Sequence, residues 1–408
     1  MTVPIGDTSD TRLGGMIFAK LFPNDDEPFR GIFVAEQLHA TADRVRWAVV
    51  APVPWVPKRV ARVLGKPYAK GERVIDGSLV LWPRYPVLPK RWLYATVAPA
   101  IARTARRAFD RARASTHASF VHVHDLYPSG AAARRLCARA GLPYVLTIHG
   151  LDLYSNLQNP RWRNEILAAG CGARAIICVG TRLATDSIAE LGLDPAKVTV
   201  IPNTYDAARY YQVDRRRGPL VKILSVGRLS YEKGHDVLLR AFAETLAAGL
   251  PARLTIVGDG PERSSLESLA RKLGIADAVR FTGVLLDEPL AAEMRAADLF
   301  VLPSRSEGFG VVLVEALATG LPVVATRSGG PADIVGSEDG VLVAPDDVRA
   351  FAEGITQAVG RLDTFDSRTI AERAAARYSP ETVGGALVAV YEAVAGGHPI
   401  PNAIGAGR

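Results

Sequence analysis

Residues 298–315, DLFVLPSRSEGFGVVLVE, are the stretch that most constrains how this chain can fold. The apolar run 299–302 predicts a buried strand, and 303–309 a tight polar loop. A helix is predicted from Gly310 onward, because Val312, Leu313, Ala316 and Leu317 recur at helical spacing. A short buried strand that feeds a helix through a glycine loop is the repeating unit of a parallel sheet covered on both faces.

The same alternation runs through the chain. In the first half, strands are predicted at 15–22, 46–53, 120–124, 143–148, 175–179 and 198–201, with helices at 32–42, near 92–113 and at 130–140. In the second half, strands are predicted at 221–226, 254–257, 279–283, 299–302, 322–325 and 340–343. Helices are expected up to residue 248 and at 348–361, 366–377 and 381–394. Residues 52–89 are proline-rich and aperiodic and read as irregular structure, while the polar stretch 206–219 reads as a linker. The pattern predicts two doubly wound, Rossmann-like α/β domains facing across a cleft, at 1–205 and 206–380. Residues 381–408 are expected to form a helix that crosses back to the first domain, and a small, glycine-rich, disordered tail from 395.

Composition bounds the partners. With 408 residues, 48% apolar and 22% charged, the chain can bury a large core in two or three domains. Cys137, Cys171 and Cys178 are odd in number and lack CxxC spacing, which disfavours disulfides and zinc and favours a reducing cytoplasm. Residues 1–15 lack the basic start and apolar stretch of a leader. No apolar run reaches the ~18 residues that span a bilayer. The net charge of +7 divides into +11 for residues 1–213 and −4 for 214–408. Its focus is 58–113, with 14 basic and 3 acidic residues interleaved with Trp82, Tyr85, Trp92 and Tyr94. That face suits an anionic membrane surface, a peripheral position at the inner face, or a pyrophosphate-bearing acceptor. A solvated basic face is the plain alternative. Nucleic acid is disfavoured, since no recognition motif accompanies the charge.

Candidate chemistry collects at the carboxyl ends of predicted strands, where open α/β sheets bind ligands. Glu307 and Glu315 bracket the loop after 299–302, and the free N–H groups at the helix start between them suit an anion. Carboxylates for hydroxyls beside amides for phosphate fit a nucleotide sugar. Gly227-Arg228 and Lys233-Gly234 place two cations in one strand-to-helix loop, as a diphosphate requires. Val284, after the strand at 279–283, is placed to face a base. In the first half, Gly31 opens a helix where bare backbone can approach a phosphate or an acceptor, and His149-Gly150 ends a buried strand. His122, His124 and Asp125 superficially resemble metal ligands, but no third ligand spacing supports a metal, so they read as strand-end or acceptor-cleft groups. The run Gly258-Asp259-Gly260 has Arg263 at the third glycine position, which excludes the dinucleotide fingerprint, and no GxxxxGK[ST] is present.

Taken together, SVGRLSYEKGHDVLLRAF, VGDGPE, VRFTGVL and PSRSEGFGVVLVEALATGLPVVAT resemble the family 4 retaining glycosyltransferases of the GT-B fold, most strongly over 221–335. The resemblance implies that Arg228 and Lys233 hold the donor diphosphate, Glu307 the sugar hydroxyls and Glu315 the ribose hydroxyls. It implies backbone contacts from Gly227, Phe309, Gly310 and Val311, a base near Val284, and His149 against the donor sugar close to the reacting carbon. It also implies a metal-independent transfer with no cofactor, from a UDP-sugar first and GDP-mannose second, to a glycan, lipid-linked or small natural-product acceptor. The narrower likeness is to enzymes of bacterial surface polysaccharides and teichuronic-type polymers. One departure is that the Gly14-Gly15 pair is read as preceding the first strand, so that its loop role passes to Gly31. A sugar-nucleotide epimerase, a sugar phosphorylase, and an inactive binding subunit are the alternatives on a similar frame.

Overall fold

The computed structural model describes residues 11–24, 30–55, 71–86, 96–150, 152–215 and 218–401. The chain divides into two compact units, Met1–Pro202 with Val383–Arg408, and Asn203–Thr382.

In the first unit the described strands are β1 (Leu13–Ala19), β2 (Val45–Val50), β3 (Val53–Trp55), β4 (Glu72–Ile75), β5 (Ser78–Leu81), β6 (Arg84–Pro86), β7 (Phe120–His124), β8 (Tyr144–Ile148), β9 (Ala175–Cys178) and β10 (Val198–Val200). Eight of them form one sheet in the order β10-β9-β8-β7-β1-β2-β5-β4, and β3 pairs with β6 apart from it. The pairings in the large sheet are parallel except for the edge hairpin of β4 and β5. Strands covered on both faces need uniformly apolar sequences, and β7, β8 and β9 are buried along their whole length. The strand order reverses between β1 and β7, which opens a crevice at their carboxyl ends. The helices are α1 (Ile32–His39), α2 (Val97–Thr104), α3 (Arg106–Thr116), α4 (Ala131–Ala140), α5 (Pro160–Gly172) and α6 (Thr181–Leu191).

Three expectations are corrected here. Gly14 and Gly15 lie inside β1 rather than before it. A Cβ on Gly14 would stand 2.2 Å from the Thr116 carbonyl, so Gly14 serves close packing of the end of α3 on the strand, while Gly15 leaves room for the Phe120 and Trp47 rings. Residues 72–86 are a hairpin and a short strand, not irregular structure. The hairpin turns at Asp76 and Gly77, whose φ values of 47° and 76° are those of a two-residue type I′ loop. The helix expected near 92–113 is two helices, α2 and α3. Much of the basic and aromatic face, including Lys58, Lys66, Lys90, Arg91, Trp92 and Tyr94, lies outside the described residues, as does the tail from 402.

The second unit carries one six-stranded sheet of β11 (Val221–Val226), β12 (Ala252–Val257), β13 (Val279–Gly283), β14 (Leu299–Leu302), β15 (Val323–Thr326) and β16 (Gly340–Val343). The order is β13-β12-β11-β14-β15-β16 and every pairing is parallel. Its helices are α7 (His235–Ala247), α8 (Arg263–Lys272), α9 (Asp287–Ala296), α10 (Val311–Ala318), α11 (Pro331–Ile334), α12 (Val348–Gly360) and α13 (Ser367–Tyr378). Ile223, Leu254, Ile256, Leu299 and Val301 meet Phe242, Phe351 and Ile355 in the core of this unit. The order reverses between β11 and β14, so the loops after these two strands meet at the ligand-binding end of the sheet.

The last helix, α14 (Pro380–Gly396), rejoins the first unit from Val383. Val383, Leu387, Val390, Tyr391 and Val394 pack with Ile17, Trp47, Val49 and Phe120. Full burial of such a side chain contributes about 1.5–3 kcal/mol. Gly384 lets the helix approach closely, because a Cβ there would lie 2.1 Å from the Ala40 carbonyl. Among the described residues, no helix is long and apolar enough to cross a membrane.

Candidate functional site

In the second unit, the loop after β11 runs from Gly227 through a single turn at Tyr231–Lys233 to Gly234, which starts α7 with φ 65°. A Cβ on Gly234 would stand 2.2 Å from the Pro303 carbonyl, so only glycine lets this loop rest on the loop after β14. The contact brings Lys233 Nζ to 2.6 Å from Glu307 Oε2. The Ser304 hydroxyl donates to the same oxygen at 3.1 Å. Both bonds fall on Oε2, and Glu307 is largely buried. Arg228, from the same loop as Lys233, is exposed.

Glu307 is also fixed through its backbone. Its N–H donates to the Ser328 carbonyl at 3.0 Å, and its carbonyl accepts from the Gly330 N–H at 3.0 Å. A Cβ on Gly329 would lie 2.4 Å from the Glu307 carbonyl, and one on Gly330 would lie 2.3 Å from the Phe309 carbonyl. The second glycine loop therefore exists to hold the first. Phe309 is buried edge-on against Tyr378 at 6.1 Å. Gly310, at φ 97°, turns the chain into α10, whose first N–H groups at Val311 and Val312 have no partner in the helix.

Glu315, inside α10, stands apart from that pair. It is buried, and burial raises its pKa to about 7 against the lowering effect of a hydrogen bond from Tyr210, with the charge of Asp206 raising it further. No hydrogen bond or ion pair joins it to Glu307 or Lys233 among the described residues. The structure thus brings Lys233 and Glu307 together and seats Glu315 in a separate, buried setting beside Tyr210 and Asp206. At the far edge, the Gly258 N–H donates to the Gly283 carbonyl at 2.8 Å, and Val284 beyond it is half exposed.

Sequence reasoning missed the residue that ties these loops from beneath. Arg305 places its guanidinium 2.8 Å from both oxygens of Asp236 and donates to the Tyr231 carbonyl at 2.8 Å. It also pairs with Asp346 at 2.8 Å and lies 4.2 Å from the Tyr231 ring centroid. Hydrogen bonds to Asp236 and Asp346 hold its pKa above the usual arginine range. The available signal was an arginine two positions before Glu307; its partners lie 69 and 41 residues away, beyond any local pattern.

In the first unit, β8 delivers His149 to its carboxyl end and Gly150 follows at φ 106°. His149 Nε2 lies 3.1 Å from His124 Nδ1, the two rings stack, and Phe33 of α1 covers His149 at 4.4 Å between centroids. Gly31 starts α1 at φ 70°, and a Cβ there would lie 2.5 Å from the Leu21 backbone, which accounts for the glycine sterically. His122 points from the same strand face into the core. The Tyr391 hydroxyl is 2.9 Å from its Nδ1, and the Thr147 hydroxyl is 2.7 Å from its Nε2. Burial lowers the pKa of His122 and of His149 to about 3 and holds His124 well below its ordinary value, so all three are neutral at pH 7. Asp125 accepts from the Ser129 N–H at 2.9 Å and from its hydroxyl at 2.8 Å. Among the described residues, no group of three or more His, Cys, Asp or Glu is arranged to hold a metal.

These geometries accompany close likeness to known proteins. Residues 34–209 match the family model described as Glycosyltransferase Family 4, and 212–365 the model described as Glycosyl transferases group 1. A Bacillus subtilis (strain 168) glycosyltransferase named for teichuronic acid biosynthesis, TuaC, is 30% identical over 359 residues, covering 83% of this chain and 87% of that protein. The structure of sucrose-phosphate synthase from Thermosynechococcus elongatus superposes with a TM-score of 0.76 at 20% identity, over 95% of this chain and 100% of that one. Anabaena HepE, solved in complex with UDP-glucose, superposes with a TM-score of 0.65 at 19% identity, over 92% of this chain and 98% of that one.

Proposed function

The chain belongs to glycosyltransferase family 4 and has the GT-B fold, and on that premise we propose that it is a retaining enzyme that moves a sugar from a nucleoside diphosphate donor, a UDP-sugar before GDP-mannose, to a hydroxyl of a glycan, glycolipid or natural-product acceptor. The observation that carries this reading is the Lys233–Glu307 pair at the point where the second sheet reverses its strand order. The Lys233 cation, beside an exposed Arg228 and the start of α10, complements the negative charge of a diphosphate, and the Glu307 carboxylate 2.6 Å from it can accept from sugar hydroxyls. In this proposal Lys233 and Arg228 turn to the diphosphate. Gly227, Phe309, Gly310 and Val311 add backbone contacts to phosphate and sugar, and Glu307 takes the sugar hydroxyls.

Glu315 takes the ribose hydroxyls, Val284 borders the base, and His149 contacts the transferred sugar near its reacting carbon. The acceptor hydroxyl attacks the face from which the diphosphate departs, and its proton passes to the leaving phosphate oxygen. Neither step needs a protein nucleophile. Catalysis then rests on positioning and on stabilising the leaving charge, which the two cations supply without a metal. The teichuronic name of TuaC and the UDP-glucose bound to HepE support a polysaccharide setting and a uridine donor.

The test is a thermal-shift series against UDP, GDP, ADP and dTDP sugars. Proton NMR then reads the anomeric configuration of the product formed from the stabilising donor. A raised melting temperature with one donor and a product of unchanged configuration are expected. An inverted product would sink the retaining assignment.

A further inference from the structure

His124 is a buried polar residue that the proposed chemistry leaves unused. It is 3% exposed at the end of β7, and its Nδ1 lies 3.1 Å from His149 Nε2. Its other nitrogen, Nε2, is buried and has no hydrogen-bond partner among the described residues. His149 keeps part of its ring open, and its Nδ1 is neither hydrogen-bonded nor closed off among the described residues. His122, two residues earlier on the same strand, is the internal contrast, with both ring nitrogens met by Tyr391 and Thr147.

Two neutral imidazoles facing each other through one nitrogen apiece share a single proton. Either His124 donates from Nδ1, or His149 donates from Nε2. In the second arrangement His124 carries its own proton on Nε2, a buried N–H with no acceptor, and such orphaned donors are rare in folded proteins. In the first arrangement His124 Nε2 is a bare lone pair, which burial tolerates better. His149 then accepts at Nε2 and carries its proton on Nδ1.

We propose that His124 is a positioning residue that holds His149 in its Nδ1–H tautomer, so that His149 offers a hydrogen-bond donor to an oxygen of the bound sugar. The assignment rests on the glycosyltransferase reading for what His149 touches, but on local geometry for where its proton sits. It makes His149 a donor to lone pairs, not a base for the acceptor hydroxyl. Phe33, packed on the ring, limits the rotation that would exchange the two nitrogens.

The full-length chain labelled with 15N-histidine decides the matter by long-range 15N–1H correlation, with the His149 signals identified by their loss in His149→Gln. The expected spectrum shows His149 protonated at Nδ1. In His124→Asn, whose amide nitrogen takes the place of Nδ1, that signature is retained. In His124→Gln, whose amide reaches instead toward the Nε2 position, it is lost and the Nε2–H form appears. A wild-type His149 protonated at Nε2 would overturn the proposal, and so would a His149 tautomer unchanged in a folded His124→Gln. Failure to turn over any sugar nucleotide refutes the enzymatic reading and the sugar as ligand, whereas the tautomer stands or falls by the spectrum alone.

Discussion

The two units solve the same problem of holding polar side chains at the carboxyl ends of a sheet's strands with opposite means. In the second unit the polar groups are charged and cross-braced: Lys233 on Glu307, and Arg305 on Asp236 and Asp346. In the first unit they are neutral imidazoles, with His124 buried and stacked on a partly open His149, and His122 buried between Tyr391 and Thr147. Charge-assisted bonds tolerate partial exposure and suit an anionic ligand. Neutral imidazoles in an apolar wall suit hydroxyls and ring oxygens, and they hold only while they stay uncharged.

That contrast breaks most sharply in acid. The folded pKa of His122, about 3, lies below the ordinary 6.5, so the imidazole is neutral in the fold and charged in the unfolded chain. Its contribution is intact above pH 6.5 and is lost as pH falls toward 3. The loss from this one residue is on the order of 5 kcal/mol at the acid end. Melting temperature followed from pH 7 to pH 4 is expected to fall steeply, and His122→Asn to flatten the slope. An equally steep limb in that variant would assign the acid lability to carboxylates instead.

Removing a cation from the second unit is next in size. Lys233→Ala or Arg228→Ala is expected to lower the single-turnover rate with the preferred donor by ~10²–10³, the usual effect of deleting one group that stabilises developing charge. Donor affinity, read by titration, is expected to change less. An unchanged rate would remove these residues from the chemistry and leave the Lys233–Glu307 pair a loop brace.

Much of the second unit was legible in the sequence, because its candidate site residues sit next to glycines that mark strand-to-helix loops: Gly227-Arg228, Lys233-Gly234, and Glu307 just before Gly308. What could not be read was pairing across distance. Alternation along 120–124 puts His122 and His124 on one strand face, yet nothing local says that one turns to Tyr391, 269 residues on, and the other to His149. The edge hairpin was missed for a different reason. The prolines on either side of it, Pro67 and Pro83, masked the Asp76-Gly77 turn, which by itself is a strong hairpin signal.

A buried carboxylate of the second unit, Glu315, sharpens the comparison from the other side. The folded pKa of Glu315, about 7, lies above the ordinary 4.5, so it is protonated in the fold over a range where the unfolded chain is ionised. Its contribution is intact below pH 4.5 and is lost as pH rises through 7, opposite in sign to the histidines. The size is on the order of 3 kcal/mol. Glu315→Gln is therefore expected to gain in relative melting temperature between pH 6 and pH 8, measured by calorimetry beside the parent. No gain would mean that the Tyr210 hydrogen bond outweighs burial.

The smallest effect expected belongs to Arg305, and it asks whether charge or backbone shape holds the second unit's loops. Its guanidinium is 14% exposed, but Asp236 and Asp346 are 37% and 56% exposed, so solvent takes back much of the loss when the cation goes. Arg305→Met keeps the stem and removes the fork. The expected cost is about 1 kcal/mol, a fall of ~2–4 °C in a unit of this size, with a few-fold rise in donor KM as Lys233 and Glu307 lose their common support. Arg305→Lys restores charge without the bidentate geometry and is expected to recover little of it. If both variants melt and bind like the parent, the brace is redundant. The loops would then be held by the glycine contacts alone, Gly234 on Pro303 and Gly329 on Glu307, and the charged unit would owe its site to backbone shape rather than to its ion pairs.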